Sequence, residues 1–112
     1  MAIAQNIIIN SDADYLKQFT AKDDTGTVID LTGYTLGAQL RKTYASSTST
    51  TFAPVIVSAA AGTFTLALTD VQTKTGTLER GRHVYDVIVT DAGGDKTRIQ
   101  EGIAVVSPSV TR

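Results

Sequence analysis

The chain has 112 residues, with ten Lys and Arg against eleven Asp and Glu, one His and no Cys. A net charge of −1 and a pI near 5.6 argue against nucleic-acid binding driven by phosphate contacts. Without cysteine there are neither disulfides nor thiolate metal sites, and the short apolar runs cannot span a bilayer. The start Met-Ala-Ile-Ala-Gln-Asn lacks the basic segment and long apolar run of a secretory signal. This length predicts a single domain over residues 1–112. Area scaling for 11.8 kDa gives roughly 5,900 Å² of folded surface, enough burial for one modest core.

Ile7-Ile8-Ile9 reads as a first strand, and Ser11-Asp12-Ala13-Asp14 as a turn. A second strand is expected over Tyr15 to Lys22, with Tyr15, Phe19 and Ala21 on one side. Asp23-Asp24-Thr25-Gly26 and Thr32-Gly33 are breaks on either side of Val28-Ile29-Asp30-Leu31. The third strand, Thr35 to Lys42, places Leu36, Ala38 and Leu40 on one face and Gln39 and Arg41 on the other. Tyr44 to Thr51 is polar and reads as a loop. Phe52 to Ser58 is a fourth strand, and Pro54 makes it an edge or bulged one, because proline cannot donate to a ladder.

After the turn Ala59-Ala60-Ala61-Gly62, the fifth strand over Thr63 to Leu68 alternates cleanly through Phe64, Leu66 and Leu68. Thr69 is suited to cap one helical turn over Asp70 to Lys74 that Gly76 would end. Leu78 then packs ahead of Gly81-Arg-His-Val-Tyr-Asp-Val-Ile-Val-Thr90, the sixth strand and the best strand signal in the chain. His83, Tyr85, Val87 and Val89 are its expected core face; Val84, Asp86, Ile88 and Thr90 point the other way. Asp91 to Asp95, with Gly93-Gly94, is a hairpin connection. Thr97 to Val106 is the seventh strand, expected to bulge near Glu101-Gly102, and residues 107–112 form a short tail.

Seven short strands at even spacing predict an all-β fold, an immunoglobulin-like antiparallel β-sandwich with one helical turn between strands five and six. In such a fold Gly81-x-His83-x-Tyr85 would put His83 at the tyrosine-corner position and Tyr85 at the second cysteine position. A small five- or six-stranded barrel is the alternative fold.

The motifs that suggest chemistry have simpler readings. Asp24-Thr25-Gly26 matches the aspartic-protease triplet, but Lys22 and Asp23 stand where an apolar run is needed and no partner segment follows, so a β-turn is expected. The pairs Asp12/Asp14 and Asp23/Asp24 lack the spacing of a dedicated Ca²⁺ loop. His83 and Asp86 would face opposite sides of one strand and could not form a catalytic pair. Gly93-Gly94 lacks the helix that a phosphate loop requires. Arg80, Arg82 and His83 form a small basic cluster at a strand end. No catalytic residue, metal, cofactor or small-molecule substrate is expected.

Apolar residues on both faces of several strands are more informative. Val84 and Ile88 oppose Tyr85 and Val87, while Val55-Ile56-Val57 and Ile103-Ala104-Val105-Val106 are continuous. A strand with one wet face should alternate, so these runs call for a further layer, of which a neighbouring subunit is one source; a few scattered exposed aliphatics, ordinary on any surface, are the alternative.

The order Asp30-Leu31-Thr32-Gly33-Tyr34, Gln39-Leu40-Arg41-Lys42 and Gly62-Thr63-Phe64-Thr65-Leu66 makes one half of a longer pattern. Gly81-Arg82-His83-Val84-Tyr85-Asp86-Val87, Lys96-Thr97-Arg98 with Glu101-Gly102, and Val110-Thr111-Arg112 make the other. Over nearly its whole length the chain resembles small structural proteins of tailed phages, notably marine cyanophages, and the N-terminal domain of upper-baseplate and tail-fibre attachment proteins. That family usually has tyrosine where His83 stands. The resemblance implies a non-enzymatic virion module, assembled in the host cytoplasm, that docks on other virion proteins and on copies of itself. Val84 and Ile88 are then the expected apolar contacts, a strand edge the source of backbone hydrogen bonds, and Arg41, Arg98 and Arg112 the rim. A capsid decoration protein and a carbohydrate-binding host-recognition module are the competing readings. The second would need a row of exposed aromatics from a chain with seven aromatics and no Trp.

Overall fold

A computed structural model describes residues 3–23, 25–47, 49–74, 78 and 80–108. Nine strands account for most of them: β1 (Ile3–Ala4), β2 (Ile7–Asn10), β3 (Tyr15–Thr20), β4 (Thr35–Arg41), β5 (Thr50–Thr51), β6 (Ala53–Ser58), β7 (Thr63–Leu68), β8 (Gly81–Thr90) and β9 (Lys96–Ser107). They form two sheets. The larger runs β1-β9-β8-β4-β5, with β2 also on β9; the smaller runs β3-β7-β6.

Alternation decides which side chains enter the space between the sheets. On β8, His83, Tyr85, Val87 and Val89 are buried, as the period of two requires. On β7, Phe64, Leu66 and Leu68 fill the opposite wall, and Phe19 stacks on Phe64 at 5.7 Å between ring centroids. Leu40, Phe52, Ile7, Ile9 and Val106 complete one continuous core cluster. The molecule measures 42 × 28 × 23 Å, and its 6619 Å² of accessible surface exceeds the scaling value because a thin two-layer sandwich is far from spherical.

Several elements differ from the sequence expectation. The first strand lies parallel to β9, with Ile7 opposite Ala104 and Ile9 opposite Val106, so the sandwich is not purely antiparallel. Its approach is fixed by Gly102: a Cβ there would overlap the Gln5 carbonyl. The Tyr85 hydroxyl donates to that same carbonyl, and Gln100 Nε2 donates back to the Tyr85 oxygen at 2.9 Å.

Among the described residues there is no helix, which corrects the expected helical turn over Asp70 to Lys74. Thr69 and Gln72 do exchange capping bonds: Thr69 N donates to Gln72 Oε1 at 2.9 Å, and Gln72 N to Thr69 Oγ1 at 3.3 Å. The chain continues as turns because Thr73, fully buried, donates its hydroxyl to the Ala13 carbonyl at 2.7 Å and so ties the segment to the β2–β3 connection. Gly76 lies outside the described residues. The polar loop ends in a short strand, β5, paired with Gln39 and Leu40 of β4.

The edges are mostly blunted. β6 carries Pro54 and an irregularity between Ile56 and Ser58, β5 is two residues long, and β3 presents Lys17 toward the core side, its ammonium 5.6 Å from the Phe19 ring centroid. Such devices resist edge-to-edge pairing. The fourth edge is short as well: β1 has two residues and β2 four.

Candidate functional site

The outward face of the larger sheet is built from the even residues of β8. Register places Arg41, Val84 and Ile103 in one row across β4, β8 and β9; Gln39, Asp86 and Glu101 in the next; and Gly37, Ile88 and Arg98 in the third. Val84 and Ile88 are half-buried. Gly37 has open space where a Cβ would stand, so the flank of Ile88 toward β4 is uncovered.

A bulge makes the third row possible. The pairing shifts between Val87, opposite Gln100, and Ile88, opposite Arg98, which leaves Ile99 as an extra residue on β9. Arg98 and Glu101 are three apart and would otherwise point to opposite faces; the extra residue brings both outward and turns Ile99 and Gln100 together into the core. The expected bulge at Glu101-Gly102 is therefore a few residues too late. Arg98 then sits 3.6 Å from Asp86 and 3.7 Å from Glu101, an exposed ion-pair cluster of modest energetic worth.

Arg41 is held differently. Its guanidinium donates to the Ser46 carbonyl at 2.8 Å and to Gln39 Oε1 at 3.1 Å. Among the described residues no carboxylate lies within ion-pairing distance of it. Together these rows enclose a shallow depression of about 340 Å³ with Tyr44, 78% exposed, on its rim. The apolar surface runs on from Ile103 to Val105 and Ile8, the last 67% exposed.

Four of the five sequence-nominated residues, Val84, Ile88, Arg41 and Arg98, thus line one depression. Arg112 lies outside the described residues. Asp86, Glu101, Tyr44 and Ile8 were not nominated. The unbroken run Ile7-Ile8-Ile9 carried the signal for Ile8, since its middle residue must face outward when its neighbours face the core. A second apolar area, Leu16 with Val55 and Val57, lies on the outward face of the smaller sheet.

Of the residues considered for catalysis or metal binding, those described have local structural surroundings. Asp24 lies outside the described residues. Its neighbour Asp23 builds the turn, its Oδ1 accepting from Thr25 N at 2.9 Å, Thr25 Oγ1 at 2.6 Å and Thr27 N at 3.0 Å. These bonds, the Thr25 hydroxyl foremost, hold its carboxyl below the usual range. Asp14 Oδ1 accepts from Asp70 N at 2.8 Å. Among the described residues no three His, Asp or Glu side chains gather as metal ligands. His83 is 4% exposed on the core face, and Asp86 is on the opposite face beside Arg98. Burial pushes the Tyr15 hydroxyl up to about 12, with Tyr85 adding to the shift, and raises Tyr85 as well. Compared with known proteins, the chain matches no family model and no curated sequence.

Proposed function

We propose that this chain is a non-enzymatic assembly module of a tailed-phage virion, an adaptor of the tail, baseplate or neck that docks on other virion proteins through the outward face of its larger sheet. The observation that carries the reading is the convergence of Val84, Ile88, Arg41 and Arg98 on one open depression. Half-buried aliphatics ringed by arginines and a tyrosine are the composition protein interfaces favour. Of the two contacts expected, an apolar face and a strand edge, the blunted edges of β3, β5 and β6 favour the face.

The strand order supports an immunoglobulin-like assignment of the sandwich. Read as A, B, C, C′, D, E, F and G, strands β2 to β9 give a B-E-D sheet and a G-F-C-C′ sheet, with the first strand beside the last. A carbohydrate-binding module would need a row of exposed aromatics, but five of the seven aromatics here are buried and Tyr44 is the single exposed one. A capsid decoration protein would differ only in its place on the particle.

The test is incorporation. Particles assembled with a Val84→Ala/Ile88→Ala chain should contain severalfold less of it by quantitative mass spectrometry, while the purified variant keeps its cooperative unfolding transition. Wild-type occupancy by a folded variant would remove the face from consideration.

A further inference from the structure

We infer that the occupant of this face is a second copy of the same chain, packed about a two-fold axis so that Arg41 of each copy reaches Asp86 and Glu101 of the other. This rests on the docking reading above and specifies its partner.

Charge is the first argument. Among the described residues of one chain, Asp86 and Glu101 share a single cation, Arg98, at 3.6 and 3.7 Å. The centre of the face therefore has one carboxylate in excess. Arg41, one row away, has no carboxylate partner among the described residues and is held with its guanidinium against Ser46 and Gln39. The face carries a local negative excess and a local positive excess side by side, and a two-fold rotation lays each upon the other. A partner of a different sequence would have to reproduce that pattern; a second copy does so by symmetry.

Shape and area are the second. The depression of about 340 Å³ has a protruding aromatic, Tyr44, on its rim three residues from Arg41. In an isologous pair the projecting ring of one copy meets the hollow of the other. Tyr and Arg are the side chains that most often anchor interfaces. The strands of this sheet, two of them only two residues long, present a face on the order of 600 Å², from strand spacings of about 4.8 Å and rises of about 3.3 Å. Specific interfaces begin at roughly 600 Å² per partner, so the face reaches the lower end of that range without recruiting the smaller sheet.

The isolated full chain tests this by analytical ultracentrifugation from micromolar to high micromolar concentration. Wild type should sediment as a dimer that dissociates on dilution. Arg41→Glu and Glu101→Arg should each sediment as monomers, because each symmetric pair would place like charges together. An equimolar mixture of the two variants should regain the dimer, since one contact is then reversed in sign and the other is native. Tyr44→Ala should raise the dissociation constant at least tenfold, and thermal melts establish that each variant is folded. A wild-type monomer throughout, a dimer indifferent to these changes, or a mixture that stays monomeric would each overturn the inference. Loss of particle incorporation by Val84→Ala/Ile88→Ala alongside a monomeric wild type would assign the face to a different virion protein, leaving docking intact and self-pairing refuted.

Discussion

Tyr85→Phe isolates what one buried hydroxyl contributes to holding the first strand in place. The ring stays, with its edge contact to Phe52 at 6.3 Å between centroids. What disappears is the bond to the Gln5 carbonyl and the acceptor for Gln100 Nε2. Gln100 is 4% exposed, so its amide is stranded, whereas Gln5 is only half-buried and can turn to water. A stranded buried polar group costs about 1–3 kcal/mol. Unfolding entropy for a domain of this size converts each kcal/mol to roughly 4 °C, so the melting temperature should fall by about 4–12 °C. Tyr15→Phe is the matched control. Among the described residues the buried Tyr15 oxygen has no hydrogen-bond partner, so its removal takes away a desolvated group and should leave stability unchanged or slightly raised. Urea and thermal unfolding of both variants measure the difference. Equal losses, or no loss in Tyr85→Phe, would refute the assignment of the hydroxyl as the latch.

Three further outcomes follow from the same packing. Both tyrosines have folded-state values raised above 10.0, Tyr15 to about 12, so the neutral form favours the fold. Their contribution is intact below pH 10 and is lost as pH climbs toward 12; the unfolding midpoint should drop across that window, less so in Tyr15→Phe. Gly102→Ala drives a methyl into the Gln5 carbonyl, and hydrogen exchange at residues 3–10 should rise sharply while the β7 amides stay protected. Phe64→Ala, at a fully buried position, should cost about 3–5 kcal/mol by chemical unfolding, whereas the exposed Arg98→Ala should cost less than about 1 kcal/mol.

Period-two alternation made the core walls readable: β7 and β8 place every second residue inward, and the sequence shows it. The break in alternation on β9 was visible as the run Ile103 to Val106, but the bulge that matters sits at Ile99, where two consecutive inward residues, one of them Gln100, hide it behind a polar side chain. Parallel pairing of β2 with β9 joins residues about a hundred positions apart, and no local pattern encodes such a partner. Thr69 and Gln72 make the capping exchange their identities suggest, yet Thr73 spends its hydroxyl on Ala13 and the chain turns away from a helix. The proposed docking face was half legible. Val84 and Ile88 stood out as apolar residues opposite a core face. The dependence of Asp86, Glu101 and Arg98 on one another needed the bulge before it could be seen.

Cryo-electron microscopy of an intact particle containing this chain tests the docking face most directly. Val84, Ile88 and Arg41 should be covered by a neighbouring protein subunit, with solvent over the smaller sheet or a secondary contact there. A particle in which the Val84–Ile88 face lies open to water, while Leu16, Val55 and Val57 make the contact, would contradict it.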